Sequence, residues 1–161
     1  MSDVGGEESC PFCEIVDRDD PDAREVYRDE HTVAFFPTEP AALGHTMVIP
    51  RLHVPDIWKL DEVTAQQLSV TTLRIAKAIE KSLHPDGLNI IQSNGEAASQ
   101  SVMHVHIHLV PRDANDRIGR IWPPESNYSE TQKDDAWKAL RDACRTIGSA
   151  ATPGARPRRG A

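Results

Sequence analysis

Three histidines alternate with apolar residues in one short segment, and this alternation constrains the fold more than any other feature of the sequence. The segment reads Met103-His104-Val105-His106-Ile107-His108-Leu109-Val110-Pro111. Because alternate residues of a strand share a face, the pattern predicts a strand over residues 102–110 with its imidazoles about 6.5–7 Å apart along one side. The residues predicted to be buried on the other side are Val105, Ile107 and Leu109.

Two other interpretations of the histidine segment remain open on the residues alone. The side chains could be surface histidines of an edge strand, or they could bind a metal ion without other ligands, although a flat strand orients neighbouring imidazoles poorly for one tetrahedral ion. Gln100 and Ser101 directly precede the segment. An amide and a hydroxyl beside imidazoles suit the oxygens of a phosphate, so the segment favours phosphate chemistry.

The rest of the chain predicts an α+β fold, with strands first, a long helix next and further strands after it. An apolar stripe follows a possible N-cap at Asp61 and predicts one amphipathic helix over residues 62–83. The stripe consists of Leu68, Thr72, Ile75, Ile79 and Leu83. Strands are predicted at residues 25–28, 32–36, 45–49, 89–92 and 102–110, and a second helix at 129–147.

The two ends of the chain differ in composition from its centre. Residues 1–9 are small, polar and acidic, and residues 148–161 contain Gly, Pro, Ala and Arg without apolar periodicity. Both ends are predicted to be disordered, the second as a basic tail. A length of 161 residues fits one domain. We expect that domain over residues 10–147, with the second helix as a C-terminal extension.

Charge and hydropathy exclude several classes of protein. Asp and Glu number 25 against 18 Lys and Arg, and the resulting net charge of −7 argues against a general nucleic-acid binder. No apolar run approaches the roughly 20 residues of a membrane helix, and the first ten residues lack the features of a signal peptide. The sequence therefore predicts a cytoplasmic protein with neither a nucleic acid nor a membrane as partner.

The cysteines and the isolated histidines carry weaker signals. Cys10 and Cys13 form one C-x2-C pair, which falls short of the four ligands of a structural zinc site and could equally be a redox pair or a disulfide. Cys144 lies on the apolar face of the second predicted helix, which indicates a core position. His31 and His84 lie in turn-like segments and are predicted at the surface.

Three blocks of sequence together resemble one known family. The segment from Gln100 to Val110 is the first block, and Gly44-His45-Thr46 with the later Ile49-Pro50 and His53 is the second. The third is Cys10-Pro11-Phe12-Cys13-Glu14-Ile15. In this order the blocks resemble the histidine triad family of nucleotide hydrolases and transferases, the third block being similar to its zinc-containing bacterial members. The resemblance implies an antiparallel sheet with one long helix packed on it.

The resemblance also implies catalytic roles. His106 would be the nucleophile, attacking the α-phosphorus of a nucleotide to form a covalent nucleotidyl-histidine that water then hydrolyses. His108 would bind a phosphate oxygen, Gln100 and Ser101 would bind the phosphate or assist the leaving group, and His45 resembles the family's fourth histidine. The implied substrates are a nucleoside phosphoramidate, an aminoacyl adenylate or a dinucleoside polyphosphate. The alternative is a catalytically weak nucleotide-binding or partner-binding regulatory module with a structural zinc.

A structural zinc site and a nucleotide pocket complete what the resemblance implies. The implied zinc ligands are Cys10, Cys13, His53 and His104. The implied substrate-binding residues are Phe12, Ile15, Phe35, Ser93, Gln100, Ser101, Val102 and His108. Relatives commonly pair as two-fold dimers through the long helix and a sheet edge, so a homodimer is expected.

Three positions depart from the pattern of the family. Pro37 stands where nucleotide-binding relatives usually carry Asp or Asn to hold the ribose hydroxyls, Ser93 where they have Asn or Gln, and Ser99 where Gly is common. Pro37 offers neither a side-chain acceptor nor an N–H. These departures predict an altered or looser sugar site beside intact residues for the phosphate.

Overall fold

The computed structural model describes residues 9–18, 20–123, 125 and 127–149. The chain forms two compact units, divided after Gly119. The disorder predicted for residues 1–8 and 150–161 lies outside the described residues. Among the described residues at the two ends, Ser9 is exposed and the second predicted helix continues to Ser149.

Five strands form one antiparallel sheet in the first unit. They are β1 (Arg24–Arg28), β2 (Thr32–Phe36), β3 (Thr46–Pro50), β4 (Gly87–Gln92) and β5 (Ile107–Arg112). Their order across the sheet is β1-β2-β3-β5-β4, and every neighbouring pair is antiparallel. β2 and β3 are mostly buried, as their β-branched and aromatic residues predict. The predicted α+β fold with an antiparallel sheet is confirmed.

The long helix α2 (Glu62–Leu83) has the predicted bounds and packs against the sheet. It begins because the Asp61 carboxylate accepts a hydrogen bond from the Thr64 amide at 2.9 Å, and it ends at His84, whose φ of 50° is left-handed. Leu68 and Ile75 of the predicted stripe are buried in the core, whereas Leu83 at the end is 48% exposed. Each such buried aliphatic side chain stabilises the fold by about 1.5–3 kcal/mol.

A short helix, α1 (Pro11–Asp17), precedes the sheet and covers part of it. Proline at its first position fits the helix start, because the missing N–H would have no partner there. At the other end Arg28 of β1 donates to the Val16 and Ile15 carbonyls at 2.8 and 2.9 Å. Phe12 and Ile15 are buried in one cluster with residues of β2 and β3.

The strand predicted over residues 102–110 is wrong in its first half, because β5 begins only at Ile107. The residues before it bond outside the strand ladder. The Val105 amide donates to the Val54 carbonyl at 2.6 Å, and the His104 carbonyl binds the side chain of His106 at 2.8 Å. Of the three histidines only His108 lies in β5, so the predicted strand face with three imidazoles does not form. Val105 and Leu109 are nevertheless buried, as predicted.

The second unit contains helix α3 (Glu130–Ser149), close to the predicted span. A capping box begins it: the Gln132 amide donates to the Ser129 hydroxyl at 3.2 Å, and the Ser129 amide donates to the Gln132 side chain at 2.9 Å. The core position predicted for Cys144 is wrong, because this cysteine is exposed. The spacing correctly indicates an amphipathic helix, but burial also requires a surface that covers the apolar face.

The remaining sequence predictions concern surface residues and membrane segments. His31 and His84 are both exposed, as their turn-like contexts predict. Among the helices of the described residues, none combines the length and the apolar character that crossing a membrane requires.

Candidate active site and metal cluster

A pocket of about 470 Å³ lies where α1, β2, β3 and the start of β5 meet. Its polar lining includes His45, His106, His108, Ser99 and Ser101. Its apolar wall includes Phe12, Ile15, Phe35, Met47 and Val102. The structure thus brings together the implied catalytic residues and the implied substrate-binding residues, with the exceptions of Gln100 and Ser93, which are not among the described lining residues of the pocket.

His106 is held so that one particular ring nitrogen faces the pocket. Its Nδ1 lies 2.8 Å from the backbone carbonyl of His104, and because a carbonyl only accepts, Nδ1 carries the proton and donates. Nε2 is then left with a lone pair and has no hydrogen bond to any described residue. The edge of the Phe12 ring packs against the imidazole at a centroid distance of 5.2 Å, and the residue is only 5% exposed. The ring is therefore fixed in position and tautomer.

His45 and His108 form a chain of hydrogen bonds that ends in the same pocket. The Ala41 amide donates to Nδ1 of His45 at 3.0 Å, so the proton of this neutral ring is on Nε2. That Nε2 lies 2.9 Å from Nδ1 of His108 and donates to it. The proton of His108 is consequently on its own Nε2. This chain of hydrogen bonds starts from one backbone amide and orients an N–H donor on His108. The ring centroid of His108 lies 4.9 Å from that of His106.

Burial keeps these three histidines neutral. It lowers the pKa of His108 to about 4, with the neighbouring His106 and His45 adding to the effect. Burial also lowers the pKa of His45. The pKa of His106 is lowered by burial and partly raised again by the hydrogen bond to the His104 carbonyl. A neutral imidazole has the lone pair that a nucleophile needs, so the site is in its reactive protonation state at pH 7.

Gln100 has a different place from the one its sequence position suggests. The residue is 6% exposed, and its amide bonds three backbone groups of the surrounding loops. Its Oε1 accepts from the Gly95 amide at 2.8 Å, and its Nε2 donates to the Pro55 and Val102 carbonyls at 2.7 and 3.0 Å. The side chain thus fixes the loop that carries Ser101. The Ser101 hydroxyl is itself exposed at the pocket.

The surroundings of Pro37 bear on the predicted loose sugar site. Pro37 and Ser99 do line the pocket, so two of the three departures from the family pattern lie in it. Four acidic residues from two neighbouring segments also line the pocket. They are Glu14, Asp20, Asp22 and Glu39, and Arg24 is the basic residue among the lining residues.

The four predicted zinc ligands form a second cluster. The ligand atoms of Cys10, Cys13, His53 and His104 all lie within 4.8 Å of one another. Sulfur-to-nitrogen distances are 3.6 Å for Cys10 and His104, 3.7 Å for Cys13 and His104, and 3.3 Å for Cys13 and His53. Around a tetrahedral zinc ion, bond lengths near 2.3 and 2.05 Å place sulfur and nitrogen about 3.6 Å apart. The cluster therefore fits such an ion.

The protonation of the cluster also suits a metal. Nε2 of His104 lies 2.9 Å from the Pro50 carbonyl and donates to it, which leaves Nδ1 with the lone pair that faces the thiols. Without a cation, burial and the adjacent Cys10 raise the pKa of Cys13 to about 11. A bound cation would instead favour the thiolates. Both cysteines are free, so the disulfide interpretation gains no support.

The sequence did not identify the particular groups that orient these rings. They are the carbonyls of Pro50 and His104 and the amide of Ala41. All three are backbone groups, which any residue type provides, so no sequence signal marks them. The contact of Phe12 with His106 was also not predicted, although Phe12 is one of the implied substrate-binding residues.

Fold and sites together define a small α+β domain with a buried histidine pocket beside a Cys2His2 cluster, the two joined by one segment of chain. The family model described as HIT domain matches residues 18–115. The chain belongs to this family, as the histidine triad resemblance predicts.

Three curated relatives show the range of the family. Protein hit of Bacillus subtilis is 40% identical over 116 residues, which are 71% of this chain and 79% of that protein. The adenosine 5'-monophosphoramidase of Saccharomyces cerevisiae is 33% identical over 119 residues, 73% of this chain and 72% of its own. The adenylylsulfatase of Arabidopsis thaliana is 31% identical over 126 residues, 78% of this chain and 62% of its own.

Solved structures share the fold. The crystal structure of a HIT family protein from Bacillus anthracis has a TM-score of 0.76 and 35% identity, and the match covers 84% of this chain and 97% of that one. A zinc-bound histidine triad family protein from Mycobacterium smegmatis has a TM-score of 0.65 and 35% identity, with coverages of 89% and 98%.

Proposed function

We propose that the protein is a hydrolase or nucleotidyl transferase that acts at the α-phosphate of a nucleotide through a covalent intermediate on His106. The observation that carries this proposal is the bond from Nδ1 of His106 to the His104 carbonyl, because it leaves the Nε2 lone pair free at a pocket large enough for a nucleotide. The names of the yeast and Arabidopsis relatives, a phosphoramidase and an adenylylsulfatase, support the same chemistry.

In the first step the Nε2 lone pair of His106 attacks phosphorus in line, and the bond from phosphorus to the leaving group breaks. The ring then carries a positive charge, which the bond from Nδ1–H to the His104 carbonyl stabilises. Negative charge develops on the phosphoryl oxygens, and the Nε2–H of His108 is the fixed donor for them. We assign the Ser101 hydroxyl to the leaving group, to which it donates a hydrogen bond, and the departing group takes its proton from solvent water.

In the second step water attacks the same phosphorus and releases a proton to solvent, and the bond to Nε2 breaks, which returns the lone pair to His106. His45 is a positioning residue in both steps, because it determines which nitrogen of His108 carries the proton. Phe12, Ile15 and Phe35 would bind the base. Pro37 would leave the ribose with fewer fixed partners, so we expect a substrate held mainly by base and phosphate.

The proposal extends to the metal, the partner and the location. We assign a structural zinc to Cys10, Cys13, His53 and His104, supported by the fit of the distances and by the zinc-bound relative. Zinc in such a closed site ties the segments that carry its ligands together. A small nucleotide or phosphoramidate is the proposed ligand. The homodimer and the cytoplasmic location stay predictions.

A catalytically weak regulatory module that binds nucleotides or a partner protein is the second candidate function. The placement of Gln100 favours it, because an amide that already bonds three backbone groups is not free to assist the leaving group. Ser101 would then act without help from the Gln100 amide.

Intact-protein mass spectrometry after mixing with adenosine phosphoramidate separates the two candidates. We expect a transient nucleotidyl adduct on the wild-type chain, its absence in His106→Ala, and its presence in the exposed control His84→Ala. Absence of any adduct and of turnover in the wild type, with AMP still bound, would support the regulatory module instead.

A further inference from the structure

We propose that the metal cluster and the nucleophile act as one unit, in which metal binding holds His106 in its reactive position and tautomer and so controls nucleotide binding. This inference concerns the regulation of the same site and rests on the proposed function. It makes Cys10, Cys13 and His53 positioning residues for a reaction whose substrate they do not touch.

The first connection between the two sites is His104 itself. Its Nδ1 faces the two thiols at 3.6 and 3.7 Å, its Nε2 donates to the Pro50 carbonyl, and its own carbonyl accepts from His106 at 2.8 Å. The residue is fully buried, and only Val105 separates it from His106. A shift of the His104 ring towards or away from the metal therefore moves the carbonyl that fixes the tautomer of His106.

The second connection runs through α1. Cys10 is the N-cap of this helix and Cys13 lies in its first turn, and between them Phe12 packs edge-on against both His104 and His106 at centroid distances of 5.9 and 5.2 Å. Phe12 and Ile15 of the same helix form part of the apolar wall of the pocket. One short element thus carries half of the metal ligands and part of the nucleotide site.

Helix α1 depends on outside contacts for its position. It has seven residues, too few for a stable helix in isolation, and its N-cap makes no side-chain capping bond. Arg28 binds the carbonyls at its C-terminal end. At the N-terminal end the two cysteines reach towards His53 and His104, so a metal ion bound there would fix the end that Arg28 does not hold.

His45 and His108 provide an internal control. Their tautomers are determined by the Ala41 amide, through bonds that include no metal ligand. If the proposed connection is correct, removal of the metal changes the state of His106 and leaves that of His108 unchanged. If the metal merely stabilises the whole fold, all three rings change together.

The test uses the full-length protein labelled with 15N-histidine, compared in the zinc-loaded form, after chelation and after zinc is restored. The 15N resonances report the tautomer of each ring, and titration calorimetry reports the affinity for AMP. We expect His106 to be protonated on Nδ1 with zinc and to exchange between tautomers without it. We also expect the AMP affinity to fall roughly tenfold without zinc, and both effects to reverse on reloading.

Two variants keep the test decisive where complete chelation disturbs the fold. His53→Ala removes the one exposed ligand and retains the other three, and His84→Ala is a matched surface control. In His53→Ala the tautomer of His106 should follow graded zinc occupancy, and His53→Cys should restore the wild-type state because it again supplies four ligands.

Identical His106 resonances and AMP affinity with and without bound zinc would overturn the proposal. Equal changes at His45, His106 and His108 would overturn it as well, since they would mean a loss of the whole fold. AMP that fails to bind even the zinc-loaded protein would contradict the proposed function, while the tautomer of His106 would still decide the inference made here.

Discussion

His104 and His106 are two residues apart, both buried, and each bound to a backbone carbonyl, yet they serve different sites. His104 donates through Nε2 and leaves Nδ1 for the thiols, whereas His106 donates through Nδ1 and leaves Nε2 for the pocket. The difference shows that the role of a buried histidine depends on which nitrogen a carbonyl binds. Five predictions, from the largest expected effect to the smallest, test this contrast.

His106→Ala should remove most of the catalytic activity and leave the metal cluster intact. We expect turnover of adenosine phosphoramidate to fall by at least about 10³-fold, because the attacking lone pair is removed. The metal content should stay at that of the wild type, measured by elemental analysis. A variant that retained turnover would contradict the assignment of His106 as the nucleophile.

His104→Ala should act on stability and on metal content. It removes a ligand and leaves the Pro50 carbonyl without its donor, so we expect the free energy of unfolding to fall by about 3 kcal/mol or more. Urea denaturation and metal analysis measure the two effects. Normal stability with normal metal content would remove the distinction between the two histidines.

Gly44→Ala tests the support of the pocket from the His45 side. Gly44 has a φ of +87°, and an added Cβ would lie 2.2 Å from Cδ1 of Leu83 at the end of α2. The left-handed backbone should cost about 1–3 kcal/mol of stability, read as a lower urea midpoint. Metal content should not change, because Gly44 has no contact with the cluster.

Acid should lower the stability of the protein, because the buried histidines of the pocket are neutral in the folded state. Burial lowers the pKa of His108 to about 4, from an unfolded value near 6.5, and also lowers that of His45. The unfolded chain therefore binds more protons in this range, so stability is complete above about pH 6.5 and is lost progressively as the pH falls towards 4. We measure the free energy of unfolding by urea denaturation at several pH values between 7.5 and 5. The slope of this free energy against pH should be shallower for His108→Asn than for the wild type. An unchanged slope would mean that His108 is not the group responsible.

Cys144→Ser should have the smallest effect. The residue is exposed in the second unit, so its substitution should change the free energy of unfolding by less than about 0.5 kcal/mol. In the zinc-loaded protein a thiol reagent should label Cys144 at once and label Cys10 and Cys13 only after chelation. Rapid labelling of all three cysteines in that form would argue against a closed metal site.

Most of the fold could be predicted from periodicity and caps. Helix α2 was predicted to the residue because Asp61 and the apolar stripe act locally, and β2 was predicted likewise. The start of β5 was not, because the amide of Val105 and the carbonyl of His104 bind groups that only the tertiary structure brings near. The prediction that Cys144 is buried failed for a related reason, since a helix face is buried only when a second surface covers it.

The candidate site shows the same division. The blocks resembling the family predicted which histidines and cysteines would come together, and the structure places them in two groups. The particular amide and carbonyl groups that determine the tautomers could not be identified from the sequence, because backbone groups carry no residue identity. The sequence likewise could not show that the Gln100 side-chain amide is already hydrogen-bonded to three backbone groups.

The bond from the Ala41 amide to His45 has a consequence for how freely this sequence can vary. Every residue except proline supplies that N–H, so position 41 can accept many side chains while the proton on His108 stays where it is. Proline already occupies position 40, one residue earlier. Ala41→Pro is thus a single substitution, outside the catalytic side chains themselves, that would remove this N–H and disorient the donor of the phosphate site.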